Sequence, residues 1–219
     1  MSNNRGLAAL SSLAQVARWM LVVYMLVDGL SACVTAWVAW QEFHSYVGNI
    51  DRALGLFAAV GMLVWIVAIP TTLVYFLWLY RARRNLVEMA VGGLHYSPGW
   101  TIGSYFVPFV NLVLPFRTMK ELYNRSQGEP EELAFVTVED ASGWWACLIG
   151  SLLLNGAWYF LLLINSIPGM FVIMPPGTHS LLLLISQLLA VGANWFLFRL
   201  VGGVTRAQNS GAFVGDTFG

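Results

Sequence analysis

Charge is the scarcest commodity in this sequence. Only 10% of its 219 residues are charged, and eleven basic residues are balanced by eleven acidic ones. A soluble domain carries about 25% charged residues, so the deficit excludes an ordinary water-exposed surface. The absence of net charge argues against a nucleic-acid partner, which calls for a basic footprint. Lysine is reduced to Lys120. HExxH, GxSxG, Walker and dinucleotide-binding patterns are all missing. No catalytic residue, cofactor or metal site is therefore expected, and the chain reads as a non-enzyme. Cysteine is nearly absent too. Cys33 and Cys147 have no CxxC-type neighbour, and the topology argued below puts them in opposite leaflets, too far apart for a disulfide. Both read as small, buried packing residues. His44 and His179 fall on one side and could approach each other as haem or metal ligands, but single loop histidines are more simply read as exposed.

What is abundant is apolar: 58% hydrophobic residues, 14% aromatic, ten of them Trp. Four runs reach the roughly 20 residues that a helix needs to cross a bilayer core: 16–40, 53–80, 143–166 and 181–204. Pro70 should kink the second, and Arg199 lies near enough to the end of the fourth to snorkel. Trp19, Trp37, Trp40, Trp78, Trp100, Trp144 and Trp145 lie near the ends of apolar runs, as expected of an interfacial belt. Leu30-Ser31-Ala32-Cys33 resembles a lipoprotein cleavage box, but Asp28 interrupts the run before it and the run continues past it. Processing there is not expected.

A fifth run, 101–116, is uncharged but short, and holds Pro108 and Pro115 with Asn111 between them. As a helix it would reach about 24 Å against a core of about 30 Å, and each proline removes a backbone donor. If it dips in and returns, Arg5, Arg18, Arg81, Arg83, Arg84, Arg117, Lys120, Arg125, Arg199 and Arg206 lie on one face, with Arg52 alone opposite. The positive-inside rule makes that face cytoplasmic. The expected fold is thus an all-α integral membrane protein. It has four transmembrane helices, a proline-broken re-entrant segment at 101–116, and cytoplasmic termini. One helical domain covers 1–206, followed by a flexible tail at 207–219.

Two polar stretches flank the fifth run. Arg81, Arg83 and Arg84 follow the second span and are candidates for lipid-phosphate contact or topological anchoring. Phe116, Met119, Leu122 and Tyr123 recur at helical spacing opposite Arg117, Lys120, Glu121 and Arg125. That pattern predicts a short interfacial amphipathic helix with Arg117–Glu121 and Glu121–Arg125 pairs at i,i+4. The acidic stretch 127–140 does not match a calcium loop and is expected to be solvated.

Asp28 falls at the centre of the first span, with Asn155 and Asn194 near the centres of the third and fourth. With Asn111 they form a candidate midplane polar cluster. The small residues repeating beside them at i+4 suggest that they face the bundle. Asp28 is expected to be protonated, or hydrogen-bonded to Asn155 or Asn194, as a structural group. The functional alternative makes it a proton or cation site beside the broken segment.

Leu77-Trp-Leu-Tyr-Arg-Ala-Arg-Arg-Asn85, Ser97-Pro-Gly-Trp100, Phe106-Val-Pro-Phe-Val-Asn-Leu112 and Pro115 together resemble the signature of domain-of-unknown-function family 4328, bacterial multi-span membrane proteins. The residues carrying the resemblance are Arg81, Asn85, Ser97, Pro98, Trp100, Pro108, Asn111 and Pro115. It implies a bacterial cytoplasmic (inner) membrane location and a multi-span fold, with no activity to transfer. The expected role is an uncharacterised, non-enzymatic accessory or scaffold subunit, partnered by the lipid bilayer and by other membrane subunits. The alternative is a small transporter or channel built on Asp28 and the re-entrant segment.

Overall fold

The computed structural model describes residues 2–44, 50–170 and 172–211. Four long helices carry the fold: α1 (Ser2–His44), α2 (Ile50–Glu88), and, after a polar intermission that contains two shorter helices, α5 (Glu139–Asn165) and α6 (Thr178–Ser210). Each contains a stretch long and apolar enough to cross a membrane. Among the described residues there is no strand. The helices overrun the expected spans because α1 and α2 carry polar ends as continuous helix. At the C-terminus α6 continues to Ser210, with buried Ala207 and Gln208 on its inner face. The tail expected from 207 onward therefore begins as helix. Residues 212–219 lie outside the described residues, as do the side chains of 50–58, which include Arg52.

Neighbouring helices run antiparallel in the spatial order α2, α1, α6, α5. Three contacts at one end fix those directions. Arg81 near the end of α2 donates to the Gly6 carbonyl near the start of α1 (3.3 Å). Asn209 near the end of α6 donates to the Ser11 hydroxyl (2.9 Å). Arg199 on α6 meets Asp140 at the start of α5 (3.2 Å).

The same end holds the hydrophobic core. Leu10, Ala14, Ala17 and Leu21 from α1 meet Trp78, Leu79, Ala82 and Leu86 from α2, and Leu200, Val201 and Val204 from α6. Each fully buried side chain of this size stabilises by roughly 1.5–3 kcal/mol. Further along, the helices turn apolar side chains outward: Leu152, Leu153, Phe160 and Leu163 on α5, and Met62, Ile66 and Ile69 on α2, are all exposed. Contiguous exposed apolar faces of this extent suit a lipid environment and not water.

The intermission between α2 and α5 forms the lower deck of that core. α3 (Pro98–Gly103) starts where Ser97 caps it, its hydroxyl accepting from Trp100 N (3.2 Å), with Pro98 in the first turn, where no amide is needed. Tight turns at Ser104–Phe106 and Val110–Leu112 follow, then α4 (Leu114–Ser126). The segment runs back along α2 as far as Tyr75, whose hydroxyl meets that of Tyr105 at 2.7 Å, before α4 returns to the end of α2. Its tip is apolar and exposed at Phe106, Phe109, Leu112 and Val113. Phe109 holds φ at 64°, a region that side-chain-bearing residues avoid.

α4 corrects one expectation. It does not lie on a surface: Thr118, Met119, Glu121, Leu122, Asn124, Arg125 and Ser126 are buried. The expected i,i+4 ion pairs do not form, because Glu121 and Arg125 are turned into the bundle and find partners on other elements. Trp78 and Trp144 are likewise core residues and not interfacial ones, whereas Trp19, Trp37, Trp40 and Trp100 are exposed. Cys33 is exposed and Cys147 half-buried. Cys33 turns outward from α1 next to buried Ala32, where a small apolar thiol meets no packing demand.

Candidate functional site

Two polar centres lie within the bundle. The first is built on the end of α2. Arg83 is fully buried and donates to Glu121 Oε2 (2.6 Å) and twice to the Tyr96 carbonyl (3.0 and 2.8 Å). The other Glu121 oxygen accepts from the His95 amide (2.7 Å) and contacts its Nδ1 (3.0 Å). Arg125 donates to the Gly92 and Glu129 carbonyls. Two buried guanidiniums and one carboxylate thus hold the loop between α2 and α3 against α4. Beside them, Gln208 donates to the Ala82 carbonyl and the Ser126 hydroxyl (3.0 Å each) and accepts from Asn85 (3.3 Å). Trp78 Nε1 donates to Thr205 Oγ1 (3.1 Å). Asn124 serves three carbonyls, of Leu133, Ala134 and Val136, so the acidic stretch is pinned and does not float as a solvated loop throughout.

This geometry redistributes the three candidate lipid-contact arginines. Arg83 is sealed inside, whereas Arg81 and Arg84 share Glu88 at 2.9 and 2.7 Å. Only Arg84, with a side chain 52% exposed, keeps a free surface. A guanidinium in the core must be paired, because an unpaired buried charge is far more costly than the pair.

The second centre lies further along the bundle. Asp28, only 4% exposed, lines a cavity of about 230 Å³ with Ser31, Ser151, Asn155, Ser186 and Gln187. Ser186 donates to the Ser151 carbonyl (2.9 Å), and Gln187 Nε2 donates to Ser31 Oγ (2.9 Å). Two acceptors remain without partners: Asp28 Oδ2 and Gln187 Oε1. Tyr24, Trp65, Trp158 and Tyr159 complete the aromatic part of the wall. No arginine, lysine or histidine lines the cavity.

The four residues of the expected midplane cluster separate. Asp28 and Asn155 share the cavity wall, but the expected hydrogen bond from Asp28 Oδ2 to an asparagine is not made. Asn194 instead donates to the Ala190 carbonyl one turn back (3.0 Å). Asn111 belongs to neither centre. It sits in the turn whose Leu112 carbonyl accepts from Trp145 Nε1 (3.1 Å), and Trp145 lies ten residues, about 15 Å of helix, before Asn155. The broken segment therefore does not border the Asp28 cavity. His44 stacks on Trp40, with centroids 4.8 Å apart. His179 Nδ1 is buried without a hydrogen-bond partner. Among the described residues no three of His, Cys, Asp and Glu cluster as a metal site would need.

Reading the sequence alone misses Glu121, Gln187 and Gln208. Gln187 carries the clearest signal, as the one glutamine in the fourth apolar run. An amide at that depth needs a partner, whatever the helix face. Glu121 and Gln208 sit in polar stretches, where nothing distinguishes a buried side chain from a solvated one.

Four residues of the sequence signature build the first centre and the helix starts beside it: Asn85 bonds Gln208, Ser97 and Pro98 start α3, and Pro115 starts α4. All of α1 before residue 41, Asp28 included, precedes the segment that the family comparison covers. No curated protein and no solved structure matches the chain. A family model matches residues 41–206, well over half of its length, and the protein belongs to the family described as Domain of unknown function (DUF4328).

Proposed function

We propose that this is an integral protein of a bacterial cytoplasmic membrane, with both termini in the cytoplasm, whose mid-bundle cavity binds a small cation. Four apolar helices and their outward-facing Leu, Ile and Phe side chains support the membrane placement. The orientation is supported by the gathering of Arg81, Arg83, Arg125, Arg199 and their partners at one end. On this reading 101–116 enters and leaves on the cytoplasmic side. Reporter tags placed after Gln127 and at the C-terminus should both report cytoplasm. An external tag at Gln127 would mean that the segment crosses.

The observation that carries the cation reading is Asp28 Oδ2, a carboxylate oxygen buried in the bundle and given no donor by the described residues. A carboxylate in such a place is neutralised by a proton or satisfied by a bound cation. Gln187 Oε1 offers a second acceptor on the same wall, and indole and phenol rings suit the apolar part of an alkylammonium ion. The volume admits a proton with water or an ion of methylammonium size. The protein in lipid nanodiscs, titrated with methylammonium and separately with acid, should show saturable changes in tryptophan fluorescence. Acid should weaken methylammonium binding, and Asp28→Asn should abolish it. An Asp28→Asn variant that binds as the parent does would refute the reading.

A second reading, a non-enzymatic accessory or scaffold subunit, is favoured by the exposed tip at Phe106, Phe109, Leu112 and Val113 and by the strained φ of Phe109. Native mass spectrometry after mild extraction should then find a stable partner subunit. A lone chain would count against it.

A further inference from the structure

At the arginine-rich end, between α1 and α6, a cavity of about 460 Å³ lies apart from the Asp28 centre and touches the first centre only at Thr205. Two arginines converge on it. Arg18 comes from α1 and Arg206 from α6, and both reach over the bare Cα of Gly202. A methyl group there would sit 3.4 Å from Arg206 Nη1 and 3.6 Å from Arg18 Nε. Neither guanidinium is paired with a carboxylate among the described residues. Arg18 lies over the Phe198 ring at 4.1 Å, and its Nε is buried with no acceptor.

Arg18 is half-buried and Arg206 exposed. The two buried arginines of the first centre each leave one nitrogen without an acceptor, Arg83 Nη1 and Arg125 Nε, but both have found acceptors for other nitrogens. Arg83 has Glu121 and the Tyr96 carbonyl, and Arg125 has two carbonyls. Two like charges facing one glycine, neither of them paired with a carboxylate among the described residues, form a fork suited to an anion. Guanidinium N–H groups arranged in this way match the oxygens of a phosphate.

The wall of the cavity changes character along its length. Ser11 and Asn209 stand at the outer end, where they hydrogen-bond to each other (2.9 Å). Trp19 and Val22 stand about 12 and 16 Å deeper along α1. A free anion has no use for that apolar half, whereas an amphiphile fills both. We infer that Arg18 and Arg206 bind the phosphate of an anionic phospholipid, whose acyl chains descend along Trp19 and Val22.

Native mass spectrometry of the full chain tests this, with three probes: phosphatidylglycerol, phosphatidylcholine of the same acyl composition, and inorganic phosphate alone. The parent protein should retain one phosphatidylglycerol. Arg18→Gln/Arg206→Gln should weaken retention about thirtyfold, about fivefold for each arginine. Phosphatidylcholine should bind weakly and equally to both proteins. Gly202→Leu keeps both charges but fills the fork, and it should also lose the lipid. A second readout guards against misfolding. In lipid-free detergent Arg206→Gln should melt no lower than the parent, since it relieves a repulsion, but it should lose the rise in Tm that phosphatidylglycerol gives the parent. Equal phosphatidylglycerol retention by parent and double variant would overturn the inference. So would inorganic phosphate raising the Tm as much as the lipid does, because the site would then be one for a free anion.

Discussion

Two buried carboxylates of this protein have opposite surroundings. Glu121 is fully buried at the arginine-rich end and both of its oxygens are occupied, by Arg83 on one side and His95 on the other. Asp28 is almost as deeply buried, yet its Oδ2 meets no donor. The same functional group therefore serves two purposes. Glu121 is consumed by the fold: its interactions are made once, between α2, α4 and the intervening loop, and nothing is left over to bind anything else. Asp28 is left available. A buried polar group that the chain does not satisfy is either a defect or a place for something outside the chain. The cavity around it and the second idle acceptor on Gln187 favour the latter.

This contrast can be broken most forcefully at Arg83. Arg83→Met leaves Glu121 without its main partner, and breaking a buried pair by removing one member costs about 3–5 kcal/mol. Thermal unfolding in detergent should fall sharply, and the double variant Arg83→Met/Glu121→Leu should recover most of the loss. Failure of the double variant to recover would mean that the pair specifies the fold and does not merely neutralise itself. A smaller effect is expected at Gln208, which holds Ala82, Ser126 and Asn85 together. Gln208→Ala strands those groups and should cost about 2 kcal/mol, read from the same melting curves. The smallest effect belongs to Asp28. Asp28→Asn and Asp28→Leu should each change stability by less than about 1 kcal/mol, because no bond made by Oδ2 is lost. A loss from Asp28→Leu as large as that from Arg83→Met would place Asp28 with Glu121 as a structural acid.

How legible these features are from sequence depends on what generates them. The four long helices follow from apolar run length, a property summed over some twenty residues and insensitive to any one. The broken segment is legible at Pro108 and Pro115, because proline chemistry is local. Side-chain partners are another matter. The Arg117, Glu121, Arg125 spacing is that of a solvated helix face, and only the packing of α4 beneath α6 and α2 turns Glu121 and Arg125 inward. Asp28 and Asn155 do share a cavity wall, as their depths in the runs suggested. Asn194 does not join them, since an asparagine in a helix can satisfy itself on the carbonyl four residues back. Depth along a helix can be counted from sequence. Azimuth around it cannot, unless a strong apolar stripe marks it, and apolar residues on every side of these helices erase that mark.

The core gathered at one end has a mechanical consequence. Trp78, Arg83, Glu121 and Gln208 clamp α2, α4 and α6 together, with α1 seated beside them through Leu10 and Leu21. Beyond this clamp the helices touch through fewer buried side chains. They resemble prongs fixed in a common handle, so a tilt starts at the clamp and its displacement grows with distance. At Asp28, about 10 Å beyond Leu21 along α1, a tilt of about 5° would shift the helix by about 0.9 Å, close to the usual range of small helix shifts. Such a shift would alter the width of the cavity around Asp28 while leaving the bonds of the handle in place.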